Sequence, residues 1–164
     1  MISINMPKCK FEVVSDDFRK HSEYDVVLPK RSSKRSAGYD IRTPETFSLK
    51  PGEKHTFWTD IKVRIDYDED TIFGATLKVY PRSSTGIKLD CILANTVGII
   101  DADYYGNQKN DGNIGICIKN IGDEVITYNV GDRVVQGILT PFLVTEDDDA
   151  DGDRVGGIGS TGKN

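Results

Sequence analysis

The sequence predicts an all-β sandwich or barrel of short strands, and three observations carry that prediction. Helical periodicity is scarce along the 164 residues. Short runs alternate apolar and polar residues with period two, the mark of a strand with one face buried. Turn signals such as Pro51-Gly52, Gly122-Asp123 and Gly131-Asp132 recur, and the 16 glycines suit many tight connections.

The elements follow in chain order. Residues 59–66 alternate strictly, so one face looks inward. Residues 73–80 read as a strand ended by Pro81. Residues 83–89 have room for a short turn of helix, and no long helix is expected. Residues 107–113, Asn-Gln-Lys-Asn-Asp-Gly-Asn, are polar and turn-rich and read as a surface hairpin between strands. Residues 113–120 form the next strand, with Gly122-Asp123 as its turn. Residues 124–128 and 133–143 flank Asn129-Val130-Gly131-Asp132, a pattern that suggests a hairpin. Residues 146–164 stand apart as an acidic run followed by a Gly-rich segment, which leaves 1–145 as the β domain. Such a tail is expected to be mobile on its own.

The chain has a mass of 18.2 kDa, the size of one domain. That length buries about 68–70% of the unfolded surface without a disulfide or metal staple. Apolar residues make up 37% and charged residues 29%, a globular balance rather than a disordered one. The net charge of −5 argues against a nucleic-acid track or an anionic-membrane binder, which would present a basic face. Six of the 26 acids fall in 146–153 with no base among them. Residues 1–145 hold 20 acids and 19 bases, so the acidity belongs to the linker. Cys9, Cys91 and Cys117 form no CxxC pair and read as reduced thiols of a cytoplasmic protein. Residues 1–8 lack the apolar core of a secretory signal, and no segment approaches the ~18 apolar residues of a membrane span.

Four constellations could carry chemistry. Pro81-Arg82-Ser83-Ser84-Thr85-Gly86 follows a strand. It offers a guanidinium, hydroxyls and backbone amides to one anion, or else makes a polar turn. Residues 95–106 hold an amide (Asn95), a carboxylate (Asp101) and an aromatic ring (Tyr104), with Gly98 allowing a sharp hairpin. An amide beside free backbone groups can read a base edge, a carboxylate can activate water, and a ring can pack on a sugar. The bland alternative is a buried hairpin with a turn Asp. Gly131-Asp132-Arg133-Val134-Val135-Gln136 reads best as a hairpin with a structural Asp–Arg pair. The Gly-rich tail can wrap phosphates through its amides or serve as a flexible end.

Taken in order, these segments resemble the five motifs of the homotrimeric deoxyuridine triphosphatase (dUTPase) family. Ala-Gly-Tyr-Asp-Ile at 37–41 is similar to the first motif and Pro-Arg-Ser-Ser at 81–84 to the second. Gly-Ile-Ile-Asp-Ala-Asp-Tyr-Tyr-Gly at 98–106 is similar to the third, Gly-Asp-Arg-Val-Val-Gln at 131–136 to the fourth, and 154–162 to the fifth. The resemblance implies a distorted jelly-roll, or β-clip, three chains per molecule and active sites between subunits. It implies hydrolysis of dUTP to dUMP and pyrophosphate with Mg²⁺, by attack of water on the α-phosphorus. That reaction would clear dUTP from the nucleotide pool and supply dUMP for dTMP synthesis.

The site roles come with the resemblance. Asp101 matches the general base. Asn95, with backbone groups around Gly98 and Ile99, matches the reader of uracil, and Tyr104 matches the ring against deoxyribose. Arg82, Ser83, Ser84 and Gln136 match phosphate contacts. Arg154, Gly159, Ser160 and Thr161 belong to the arm that closes over a neighbouring site. Mg²⁺ is held by phosphates and water in this family, so no direct protein ligand is implied; Asp40 falls near its hydration shell or holds an interface. Ile158 stands where the family usually has Phe, so weaker substrate binding with intact chemistry is expected. The 107–113 loop is longer than the simplest family pattern. A related dCTP deaminase, or a phage-type regulator that binds a repressor protein, are the competing readings. His21, His55 and Trp58 match no motif and read as surface or packing residues.

Overall fold

A computed structural model of the chain describes residues 5–67, 71, 73–152 and 154. The described residues contain twelve short strands, one short helix and two 3₁₀ turns, and every pairing among these strands is antiparallel. The strands are β1 (Lys8–Val13), β2 (Lys30–Arg31), β3 (Tyr39–Arg42), β4 (Phe47–Leu49), β5 (Lys54–Trp58), β6 (Ile61–Asp66), β7 (Gly74–Pro81), β8 (Cys91–Leu93), β9 (Gly98–Ile100), β10 (Gly115–Asn120), β11 (Ile126–Tyr128) and β12 (Arg133–Phe142). They form four small sheets, of which the largest runs β2-β3-β12-β7-β9 and the next β5-β10-β8. This is the all-β, β-clip or jelly-roll architecture that the sequence predicts.

Period-two patterning accounts for the faces. In β6, Ile61, Val63 and Ile65 are buried while Arg64 and Asp66 are exposed. In β10, Ile116, Ile118 and Asn120 point inward. β7 lies between β12 and β9, and its Ala75, Thr76 and Leu77 are buried in succession. One apolar core joins the sheets, with Leu77, Val79, Ile114, Ile118, Val134 and Val135 fully enclosed. Trp58 packs its ring on Gly115, where an added Cβ would fall 3.1 Å from the indole. The helix α1 (Ser83–Ile87) follows Pro81 as expected and ends two residues sooner than the sequence suggests.

Four expectations are corrected. Residues 124–128 and 133–143 do not form a hairpin, since β11 pairs with β4 and β12 pairs with β3 and β7. The reason lies in the turn between them. The Gly131 amide donates to the Thr43 carbonyl (2.8 Å) and the Thr43 amide to the Asp132 carbonyl (3.0 Å), so the corner is stitched to a third segment. Nor are Asp132 and Arg133 a pair. Asp132 accepts from the Asn129 amide (2.8 Å), while Arg133 reaches Asp40.

The 94–97 turn is likewise a corner between sheets, because β8 pairs with β10 and β9 with β7. The left-handed residue there is Thr96 (φ 67°), not Gly98. Gly98 is small because a Cβ would press on Val79 at 3.2 Å. The 107–113 segment is no surface hairpin either. Asn107, Gly112 and Asn113 are buried in it, because their polar groups are satisfied inside the protein. Cys9, Cys91 and Cys117 are free thiols. Among the described residues no helix is long and apolar enough to cross a membrane.

Candidate functional site

The motif residues fall into two groups. The first surrounds a cavity of about 230 Å³ walled by Val79, Leu93, Ile100, Tyr104 and Ile116, with Asn95, Gly98, Ile99, Gly115, Cys117 and Arg154 completing its lining. Three separate stretches converge there: the 94–97 turn with β9, the 3₁₀ turn Ala102–Tyr104 that follows it, and β10. Asn95 is exposed at the turn beside Thr96. A β-branched residue at φ 67° is a strained conformation, kept where the surrounding structure fixes it. The Thr96 amide bonds the Leu93 carbonyl (3.0 Å) and the Val97 amide the Asn95 carbonyl (2.7 Å), which does fix it.

Tyr104 presents its ring to the cavity and is only 4% exposed. Its hydroxyl points away, donating to the Asn113 carbonyl at 2.8 Å. Burial pushes this phenol's pKa up, so it stays a neutral donor. Asp101 and Asp103 are exposed beside it, and Arg154 joins them, with Nη1 3.1 Å from Asp101 Oδ2 and 2.9 Å from Asp103 Oδ1. The same guanidinium lies 5.5 Å from the centre of the Tyr104 ring. The cavity mouth thus carries two carboxylates and a guanidinium.

The second group is built on β3, β12 and the start of α1. Asp40 is its centre. Oδ1 accepts from Arg82 Nε (2.8 Å), and Oδ2 accepts from Arg133 Nη1 (3.0 Å) and Ser32 Oγ (3.0 Å). Burial alone would raise the Asp40 pKa. The hydrogen bonds from Ser32 and Arg133 and the charges of Arg82 and Arg133 outweigh it, and the carboxyl sits below its ordinary range. Ser84 is close to Arg82 Nη1 (3.5 Å), and Ser83 is exposed at the first position of α1. Gln136 faces Asp40 across β12 and β3, and its amide donates to the Pro81 carbonyl at 3.3 Å. Gly38 allows this, since a Cβ there would collide with the Gln136 amide oxygen.

None of Asp40, Arg82, Ser84, Arg133 or Gln136 lines the cavity at Tyr104. Their side chains bond one another, Ser32 and Pro81. Within one chain the groups suited to a base and sugar and the groups suited to phosphates are two separate sets. Sequence reasoning missed Arg133 as a partner of Asp40, Asp103 as a partner of Arg154, and the walls Val79, Ile116 and Cys117. Ile158, Gly159, Ser160 and Thr161 lie outside the described residues.

Both oxygens of Asp40 are engaged by cations and a hydroxyl. Among the described residues, no three His, Cys, Asp or Glu side chains are grouped to hold a metal ion. The histidines sit apart from the motif residues, both beside Glu45. His55 Nε2 is 2.6 Å from Glu45 Oε1, His21 Nε2 is 4.0 Å from Oε2, and His55 stacks on Phe47.

Comparison with known proteins gives these observations a family. A dUTPase family model matches residues 25–162. A deoxyuridine 5'-triphosphate nucleotidohydrolase of Lactococcus lactis is 41% identical over 154 residues, covering 93% of this chain and 96% of the relative. The crystal structure of a dUTPase from Streptococcus mutans superposes with a TM-score of 0.69 at 34% identity, covering 83% of this chain and 98% of that one. A mutant dUTPase from phage phi11 of S. aureus, described as coordinating a structural Mg(II) ion, has a TM-score of 0.60 at 26% identity. It covers 88% of this chain and 97% of its own.

Proposed function

The chain belongs to the dUTPase family, and from that premise we propose that it hydrolyses dUTP to dUMP and pyrophosphate in sites completed between chains of a homotrimer. The observation that carries this reading is the division just described. One chain holds a pocket with a turn at its lip and a carboxylate at its mouth. The same chain holds its cationic, anion-suited cluster elsewhere. A ring of three chains in which the pocket of one meets the Arg82 cluster of the next gives three whole sites.

In such a site Asn95 and the backbone around Gly98 and Ile99 read uracil. Cytosine would set its amino group against a donor and leave buried groups unpaired, which is a strong basis for rejection. The Tyr104 ring packs on deoxyribose, where a 2′-hydroxyl finds no space. Arg82, Ser83, Ser84 and Gln136 receive the phosphates. Asp101 orients a water and takes its proton as the oxygen bonds to the α-phosphorus. The bond to the bridging α,β-oxygen breaks and pyrophosphate leaves. Mg²⁺ carried by the triphosphate neutralises phosphate charge, and Asp40 acts by holding Arg82 and Arg133 in place.

Arg154 opens the final segment. Its bonds to Asp101 and Asp103 occupy the carboxylate that the water needs, so this contact gives way when substrate arrives and Arg154 turns to the phosphates. Residues 146–164 then serve as an acidic spacer and an arm, with Ile158, Gly159, Ser160 and Thr161 closing over a neighbouring chain's site. The test supplies dUTP, dCTP, dTTP and UTP separately and reads pyrophosphate and ammonia. Pyrophosphate from dUTP alone supports the proposal. Ammonia from dCTP would mark a deaminase, and no turnover with retained protein binding would mark a regulator of the repressor-binding kind.

A further inference from the structure

We propose that the 107–113 loop sets the position of the Tyr104 ring and thereby the preference for deoxyribose, with Asn110 as its positioning residue. The inference rests on the reading of Tyr104 as the ring that faces the sugar. Tyr104 is gripped at both ends by this one loop. At the backbone end, Asn107 Nδ2 donates to the Tyr104 carbonyl at 2.8 Å. At the phenol end, Asn110 Nδ2 donates to the hydroxyl at 2.7 Å while that hydroxyl donates to the Asn113 carbonyl at 2.8 Å. The phenol's donor is committed and a lone pair is filled, so its orientation is fixed from behind the cavity.

The grip is itself braced. Asn107 Nδ2 also donates to Asn110 Oδ1 (2.6 Å), and Gly112 donates its amide to the same oxygen (3.1 Å). Asn107 Oδ1 accepts from the amides of Lys109 and Asn110. Gly112, at φ 83°, lies directly on the 104–105 backbone, where a Cβ would stand 3.0 Å from the Tyr104 carbonyl. Asp111 roots the loop in the fold, accepting from the Ser15 amide and hydroxyl and from Lys62 Nζ at 2.8, 3.0 and 2.7 Å. The two roles separate cleanly. Asp111 anchors the loop, whereas among the described residues the Asn110 side chain bonds only Tyr104 outside the loop.

A ring held this way discriminates by shape, because a small displacement opens room for a 2′-hydroxyl. Asn110→Asp keeps the volume and an acceptor toward Asn107 and Gly112 but loses the donor to the phenol. It is measured with dUTP and UTP, alone and combined with Tyr104→Phe, alongside thermal unfolding. The expected result is a rise in the dUTP KM and a fall in the dUTP-over-UTP preference, each by about 3–10-fold, the effect of one neutral hydrogen bond. kcat for dUTP changes by no more than about twofold. In the Tyr104→Phe background the same substitution has no further effect on preference.

Unchanged KM and preference with a lowered melting temperature would overturn the proposal and make Asn110 a structural residue. So would an equal further loss in the Tyr104→Phe background. If Asn110→Asp fails to fold, Tyr104→Phe alone decides, since it must lower the preference and an unchanged preference overturns the idea. A wild-type chain that leaves dUTP intact fails the proposed function instead, and the two failures are thereby distinct.

Discussion

The cavity at Tyr104 and the cluster at Asp40 are held by opposite means. The cavity is shaped by backbone. A left-handed Thr96, a Gly98 pressed on Val79 and a loop of asparagines fix its walls, and its ring is neutral. The Asp40 cluster is shaped by charge, with one carboxylate clamping two guanidiniums and a hydroxyl. Discrimination among bases and sugars depends on groups that cannot shift, so rigid backbone suits it. Binding a triphosphate needs cations held ready without being neutralised, and one shared carboxylate between two arginines leaves net positive charge. On the proposed reading, each chain carries two half-sites built for different tasks.

The largest expected effect comes from the mouth of the cavity. Asp101→Asn lowers pyrophosphate release by about 10²–10⁴-fold while nucleotide binding is retained, as checked by turnover and by equilibrium titration with dUTP. Unchanged turnover would remove Asp101 from the chemistry and with it the link between cavity and reaction. Asp40→Asn acts on the other half. It frees two guanidiniums and costs about 1–3 kcal/mol of stability by denaturant unfolding.

Its pH signature has a definite sign. The Asp40 carboxyl is held below its unfolded-state value. Its stabilisation is therefore complete above the unfolded carboxylate pKa of about 4 and is lost as pH falls through the folded value. The variant shows a shallower acid-side decline than the wild type. A decline of equal steepness contradicts the charge-clamp account.

Smaller effects sharpen the contrast. Ile158→Phe restores a ring where base stacking is worth about 1–3 kcal/mol, so KM for dUTP falls and kcat holds. No change in either parameter ends the idea that this position covers the base. Thr96→Gly removes the left-handed penalty but frees the unfolded chain, and the two offset to within about 1 kcal/mol in thermal unfolding. A large loss would mean that the Thr96 side chain, rather than the turn's backbone bonds, holds the lip of the cavity.

Much of this was legible in the sequence because it is local. The strand faces of β6 and β10 follow from alternation, and the motif segments are runs of four to nine residues. What stayed hidden is pairing across distance. Alternation tells which side of a strand faces inward but not which strand it meets, so β11 and β12 read as a hairpin although Thr43 draws their connection into a corner. Side-chain bonds to far partners have no local signature. Asp60 and Asn113 meet across 53 positions, as do Arg154 and Asp101. The asparagines at 107, 110 and 113 read as turn residues, because nothing in their spacing reveals that the groups they satisfy belong to Tyr104.

The central claim is that each working site joins the cavity of one chain to the Arg82 cluster of another. Two inactive variants, Asp101→Asn and Arg82→Ala, are co-expressed with different tags, and trimers bearing both tags are isolated and assayed with dUTP. Any mixed ring of three contains one junction where an intact Asp101 meets an intact Arg82. The account predicts about one third of the wild-type rate in the mixed trimers, while each variant alone stays inactive. Mixed trimers no more active than the separate variants would contradict it, placing both half-sites of each working site on a single chain.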